Sequence, residues 1–239
     1  MIYTWNADTI RFIREASEFC PGYYEDIANA VSPYLKRDGR VLDAGCGLGY
    51  LSLALAGRTG SVTAADIDPE ALAVLEENKT ERGIRNISAV CTDVFAWLPD
   101  RPFDAAVFCY CGETETIVSH AEKLCRGPVI IIKRNYGLHR FSAGSIPNER
   151  GGFSAARNKL TELGIPFDAF TLETELGQPL KSIADARRFF ELFSQDTDKS
   201  VITDAFLRER LVETGREDRP FYLPSKKDIG VLVLWPDRR

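Results

Sequence analysis

The chain has 239 residues, 44% of them hydrophobic and 27% charged, a composition that excludes collagen, extended disorder and a coiled-coil rod. A chain of this length buries roughly 70–75% of its unfolded surface, so neither a disulfide nor a metal is needed to hold its core. The 30 basic and 35 acidic residues leave a net charge of −5, opposite to the sign that sequence-independent binding of nucleic acid calls for.

The opening segment, Met1-Ile-Tyr-Thr-Trp-Asn-Ala-Asp8, has neither a basic stretch nor an apolar core, and nowhere do 18 apolar residues run together. No signal peptide or membrane span is expected, and a cytoplasmic location is. The six cysteines, Cys20, Cys46, Cys91, Cys109, Cys111 and Cys125, include no C-x-x-C pair, and His120 and His139 are the only histidines. No metal site is therefore expected, and the thiols read as reduced and buried.

Two helices are expected within residues 1–38, a helical cap whose second member runs through Tyr24, Ile27, Ala28 and Val31 until Pro33 and Gly39 interrupt it. Residues 41–44 read as a strand, followed by glycines 45, 47 and 49 and a helix carrying Leu51, Leu53, Ala54 and Leu55. After a strand at 61–66, Asp68 as N-cap and Pro69 at the first helical position open a helix bearing Leu72 and Leu75. Strands at 87–91 and 104–109, a helix with Ile117, Ala121 and Leu124, and a wholly apolar strand at 129–132 continue the alternation. A helix at 154–163 and strands at 169–176 and 229–234 complete it. Continuous apolar strands between helices indicate a parallel sheet covered on both faces and joined by right-handed crossovers. The expected class is α/β, a doubly wound, mostly parallel seven-stranded sheet in one domain, with N-terminal helices and a helical insertion before the last strand. Its parts are the cap at 1–38, a core at 39–176, the insertion at 177–228 and the last strand at 229–239.

Three glycines where the first strand meets its helix let backbone approach a ligand and amides face an anion. A tight turn without a ligand is the bland alternative. Asp66 ends the second strand, where a carboxylate can accept both ribose hydroxyls, and Asp93 follows the third, within reach of an adenine amine or as the cap of a helix through Trp97. NAD would call for G-x-G-x-x-G, but Tyr50 stands at the third glycine and the spacing is G-x-G-x-G.

These residues resemble the class I S-adenosylmethionine-dependent methyltransferases over about residues 40–135, with a weaker extension through the two last strands. The resemblance implies Gly45, Gly47 and Gly49 as the loop around the cofactor's methionine part, with Asp43 helping to hold its ammonium group. It implies Asp66 as the ribose-binding carboxylate with Ile67 packing on adenine, and Asp93 on the adenine amine with Val94 as the adjacent apolar contact. It also implies that the transferable methyl points toward the ends of the fourth and fifth strands. The candidates for catalysis there are Tyr110, Glu113 and His139, the last with an ordinary pKa near 6.5. Lys133 and Arg134 could attract an acidic acceptor. The N-P-P-Y or D-P-P-Y sequence of amino-methylating DNA enzymes is missing at 109–113, and no acidic set of a metal-dependent O-methyltransferase is present.

In this family the sixth and seventh strands usually form a close hairpin, whereas residues 177–228 intervene here. That insertion is expected to hold a helix opened by Ser182, with Asp185 three residues on, presenting Ile183, Ala186, Phe189, Phe190 and Phe193. A second helix carries Phe206, Leu207 and Leu211. The phenylalanine stripe needs an apolar surface: the sheet's flank, an acceptor under a lid, or a dimer contact. Tyr3, Trp5, Tyr23 and Tyr24 read either as core or as walls for an apolar or planar acceptor. The expected function is S-adenosylmethionine-dependent methyl transfer to a small molecule, without nucleic acid or membrane and with a homodimer left open. A protein or RNA methyltransferase and a non-catalytic, cofactor-binding regulatory protein are the alternatives.

Overall fold

The structure is a computed structural model that describes residues 5–135, 143, 152–194 and 198–236. In chain order it runs α1 (Ala7–Phe19), α2 (Gly22–Val31), β1 (Arg40–Ala44), α3 (Tyr50–Ala56), β2 (Ser61–Asp66), α4 (Pro69–Glu81), β3 (Ile87–Cys91), β4 (Ala105–Cys109), α5 (Thr114–Leu124) and β5 (Val129–Arg134). There follow α6 (Phe153–Glu162), β6 (Phe167–Glu175), β7 (Gln178–Leu180), α7 (Ile183–Phe193), α8 (Asp204–Arg210), β8 (Val212–Glu213), β9 (Phe221–Leu223) and β10 (Lys226–Leu234). Seven strands form the main sheet in the order β3-β2-β1-β4-β5-β10-β6. Within it β10 runs antiparallel to both neighbours, while β1 to β5 pair in parallel.

Strand alternation divides the apolar side chains between the sheet's two faces. Val41, Val107, Ile130 and Ile132 pack with α2, α3 and α4 on one face, and Leu42, Phe108, Val129 and Ile131 with α5 and α6 on the other. The doubly wound, mostly parallel seven-stranded expectation is what the chain forms. Local caps behave as their sequences imply: Asp68 accepts from the amides of Glu70 and Ala71, and Ser182 Oγ from the amide of Asp185. Asn6 and Thr9 form a reciprocal capping box that opens α1.

Three features depart from the sequence reading. The last strand begins at Lys226, three residues early, because its polar start pairs residue by residue with β6, and Lys226 Nζ meets Glu173 at 3.0 Å. No apolar alternation marks that stretch. The insertion also contains a three-stranded antiparallel sheet, β7-β9-β8, whose strands of two or three residues are too short to carry a period. Leu211 ends α8 as its C-cap residue and lies outside the helix.

The surface that the phenylalanine stripe covers is neither the flank of the main sheet nor an open pocket. Phe189 and Phe190 are buried with Phe12 of α1, Leu180 of β7, Leu207 of α8 and Leu223 of β9 in a separate core. The Phe12 ring meets Phe189 edge-on at 5.0 Å, and Phe189 meets Phe193 at 4.7 Å. Beside them Glu15, only 8% exposed, draws in Arg11 at 3.3 Å and Lys181 and Arg219 at 3.1 Å each. The first helix and the insertion are thus one unit. Among the described residues, no helix is long and apolar enough to cross a membrane.

Candidate active site

The site lies at the carboxyl ends of the parallel strands, where ligands bind in open α/β sheets. Glycines 45, 47 and 49 all have positive φ, at 68°, 52° and 77°, a region that L side chains rarely adopt. Space is as restrictive as torsion. A Cβ at position 45 would collide with Cys111 Sγ, and one at 47 would come within 2.7 Å of Trp5 Cζ2. The loop is therefore pressed between the turn after β4 and Trp5, which precedes the N-cap residue of α1.

Asp66 closes β2 and ties this loop down. One carboxylate oxygen accepts from the Gly47 amide at 2.8 Å, the other from the Asp68 amide at 3.0 Å. Each oxygen keeps a further lone-pair direction. Next to it Ile67 is 51% exposed, an aliphatic face at the strand end. Asp93 is exposed and accepts from the Phe95 amide at 2.9 Å in a turn; no helix runs through Trp97, so the capping alternative falls away. Val94 is buried beneath that turn.

Asp43 sits under the loop, 1% exposed, with Ser52 Oγ of α3 donating to it at 2.5 Å. Burial, with Asp66 adding repulsion, pushes its pKa up to about 6. The folded protein then holds this proton at pH values where the unfolded chain, with an ordinary carboxyl near 4, has released it. Stability should fall as pH rises from about 4 to 6, by about 3 kcal/mol in all for this group. Asp43→Asn, which mimics the protonated form, should lack that slope. Urea melts of both proteins between pH 4 and 7 check this; a constant difference between them would show that Asp43 titrates normally.

The turn after β4 is held from three sides. Besides the packing of Cys111 on Gly45, Lys133 Nζ of β5 donates to the Gly112 carbonyl at 2.6 Å. The Tyr110 hydroxyl lies 2.8 Å from that of Tyr23 on α2, and Arg134 stands 5.6 Å from the Tyr110 ring centre. Tyr110 has φ of 57°, the one non-glycine residue with positive φ among the described residues. Strain of this kind costs on the order of 1–3 kcal/mol and concentrates at functional sites. Tyr110 is 37% exposed while Tyr23 is buried, so the exposed member of the pair faces outward from a backbone held in an unfavourable geometry.

Glu113 is exposed at the N-cap position of α5 and makes no capping bond with its side chain. Asn135 Nδ2 donates to Asp228 at 2.8 Å, locking the end of β5 to β10. His139 and Tyr3 lie outside the described residues. Burial raises the Cys46, Cys109 and Cys111 thiols, Cys111 to about 11, so they stay neutral at ordinary pH. Of the six free cysteines, only Cys125 is fully buried, and Cys91 is exposed, so the expectation of buried thiols holds in part.

Sequence reasoning brought together the residues at the ends of β1, β2 and β3. It missed the roles of Trp5, Tyr23, Cys111 and the Lys133 clamp. The aromatic-rich N-terminal segment was the available signal, but which residue meets which loop is a matter of packing.

Residues 41–126 match the family model of the methyltransferase domain. Over that stretch the chain is similar to the class I S-adenosylmethionine-dependent methyltransferases. The methyltransferase match spans β1 to the end of α5 and so takes in the glycine loop, Asp66, Asp93, Tyr110 and Glu113. An RNA methyltransferase of Lactococcus lactis, named as uncharacterized, is 33% identical over 84 residues; these make up 35% of this chain and 16% of the relative. The chain thus matches about a sixth of the length of that curated relative. Among solved structures, the YcgJ protein of Bacillus subtilis superposes with a TM-score of 0.56 at 13% identity, over 88% of this chain and 98% of its own. The precorrin-6y C5,15-methyltransferase of Geobacter metallireducens gives 0.51 at 14% identity, over 88% and 86%. At these identities the structural likeness is one of fold.

Proposed function

We propose that the protein transfers a methyl group from S-adenosylmethionine to a small molecule. The observation that carries the cofactor is the end of β2. Asp66 spends one acceptor direction of each oxygen on the loop and keeps the others for a diol, beside the exposed aliphatic face of Ile67. Asp93, exposed one strand away, suits the adenine amine, and Asp43 beneath the glycines suits the ammonium group, whose charge favours its ionised form. The residues fit the group.

The bound cofactor supplies a sulfonium methyl, an electrophile with a good leaving group. The chain's own task is then alignment of the acceptor, with a base only where the acceptor must shed a proton. Tyr110 and Glu113 stand at the strand ends where that acceptor would lie. Tyr110, held by Tyr23 and flanked by Arg134, orients it, and Glu113 is the carboxylate at hand to take a proton. The aromatic cap and the net acidic charge support a small molecule. The RNA methyltransferase relative favours RNA as a second reading.

The test is incubation with methyl-labelled S-adenosylmethionine and fractionated cell extract. Label in acid-soluble metabolites is the expected result; label in RNA would replace the small-molecule reading. Titration with S-adenosylhomocysteine should show micromolar binding and titration with NAD none, because Tyr50 stands where a dinucleotide loop needs glycine. Preference for NAD would overturn the assignment.

A further inference from the structure

At the end of the sheet opposite the glycine loop, the amino ends of β1 and β4 frame a cavity of about 250 Å³ lined by Arg40, Arg101, Pro102, Phe103, Asp104 and Arg126. Its walls are fixed by backbone bonds. The Phe103 amide donates to the Leu124 carbonyl at 2.8 Å, the Arg126 amide to the Phe103 carbonyl at 3.0 Å, and the Asp104 amide to the Arg40 carbonyl at 2.8 Å. Gly127 passes so close to the Asp104 carbonyl that a Cβ there would collide with it. The cavity is therefore framed by bonded backbone rather than by loose side chains alone.

Its charge is one-sided. Three guanidinium groups line it, and the single carboxylate, Asp104, is already engaged by the Arg40 amide at 2.9 Å and by Lys36 Nζ at 3.2 Å. The Arg40 guanidinium lies 4.8 Å from the centre of the Phe103 ring, and its Nη1 is buried without a hydrogen-bond partner. Capping, sheet pairing and the cofactor site account for none of this, since the cavity lies about 13 Å of strand away from the loop.

We propose that this cavity binds a terminal phosphate or diphosphate group of a small molecule. A planar guanidinium meets phosphate oxygens two at a time. A single carboxylate has two oxygens to offer, whereas three arginines match the greater charge and the larger number of oxygens on a phosphate. A recess of this size suits a phosphate end better than the continuous backbone of an RNA strand. The occupant is separate from the cofactor, and its binding stabilises the fold by linkage.

The test is calorimetric titration of the full chain with inorganic pyrophosphate at fixed ionic strength, with a 5′-hydroxyl RNA oligonucleotide in a second arm. Saturable one-to-one binding of pyrophosphate is expected, weakened tenfold or more in Arg101→Gln and in Arg126→Gln. Both are exposed residues whose replacement leaves the Phe103 packing of Arg40 intact. Binding of S-adenosylhomocysteine should be the same in all three proteins. Absence of saturable pyrophosphate binding, equal binding in the variants, or tighter binding of the oligonucleotide through the same arginines would each overturn the proposal.

Discussion

Asp66→Ala is expected to weaken S-adenosylhomocysteine binding by roughly 1.5–3 kcal/mol, about 10- to 150-fold, the value of hydrogen bonds to a charged group. The carboxylate has two tasks, because it also receives the amides of Gly47 and Asp68. Asp66→Asn separates them. An asparagine oxygen can still accept from one amide, but the side chain no longer offers two ionised oxygens to a diol. Calorimetry of the three proteins at one pH, with melting curves to verify folding, decides the matter. Unchanged affinity in a folded Asp66→Ala protein would remove this residue from the cofactor site and leave the exposed Ile67 without an explanation.

Phe12→Ala should cost about 3–5 kcal/mol of stability, as removal of a fully buried aromatic ring does. Phe12 has no exposed surface and is the contribution of α1 to the core it shares with Phe189, Phe190 and Leu180. Its loss opens a cavity between the first helix and the insertion, next to a carboxylate that gathers three cations. Because only the N-cap residue Asn6 separates α1 from Trp5, which packs on Gly47, the same variant should also weaken cofactor binding. Denaturant unfolding measures the first effect and titration the second. A loss below about 1 kcal/mol would mean that the cap and insertion do not fold as one unit. A full loss of stability with normal cofactor affinity in the surviving folded fraction would separate Trp5 from the site.

The sequence by itself determined what depends on neighbours along the chain. Alternating apolar strands and capped helices specify a doubly wound sheet because each strand must bury both faces. The spacing of glycines 45, 47 and 49 marks the loop because positive φ is a property of single residues, and Asp68 with Pro69 marks a helix start because a cap acts within three residues. Asp66 and Asp93 were legible for the same reason, each being the first acid at the end of its strand.

Only the tertiary structure decided what covers that loop and where the apolar stripe goes. Phe189 is as apolar against a pocket as against Phe12, and burial has no direction in sequence. The contacts between Trp5 and Gly47, between Tyr23 and Tyr110, and between Lys133 and the Gly112 carbonyl join residues 21 to 87 positions apart. The strain at Tyr110 has no local signature either, since tyrosine does not favour positive φ. It exists because Lys133 of β5, Gly45 of the glycine loop and Tyr23 of α2 hold the turn from three elements at once, and such over-determination arises only when the sheet, the loop and the cap are assembled together.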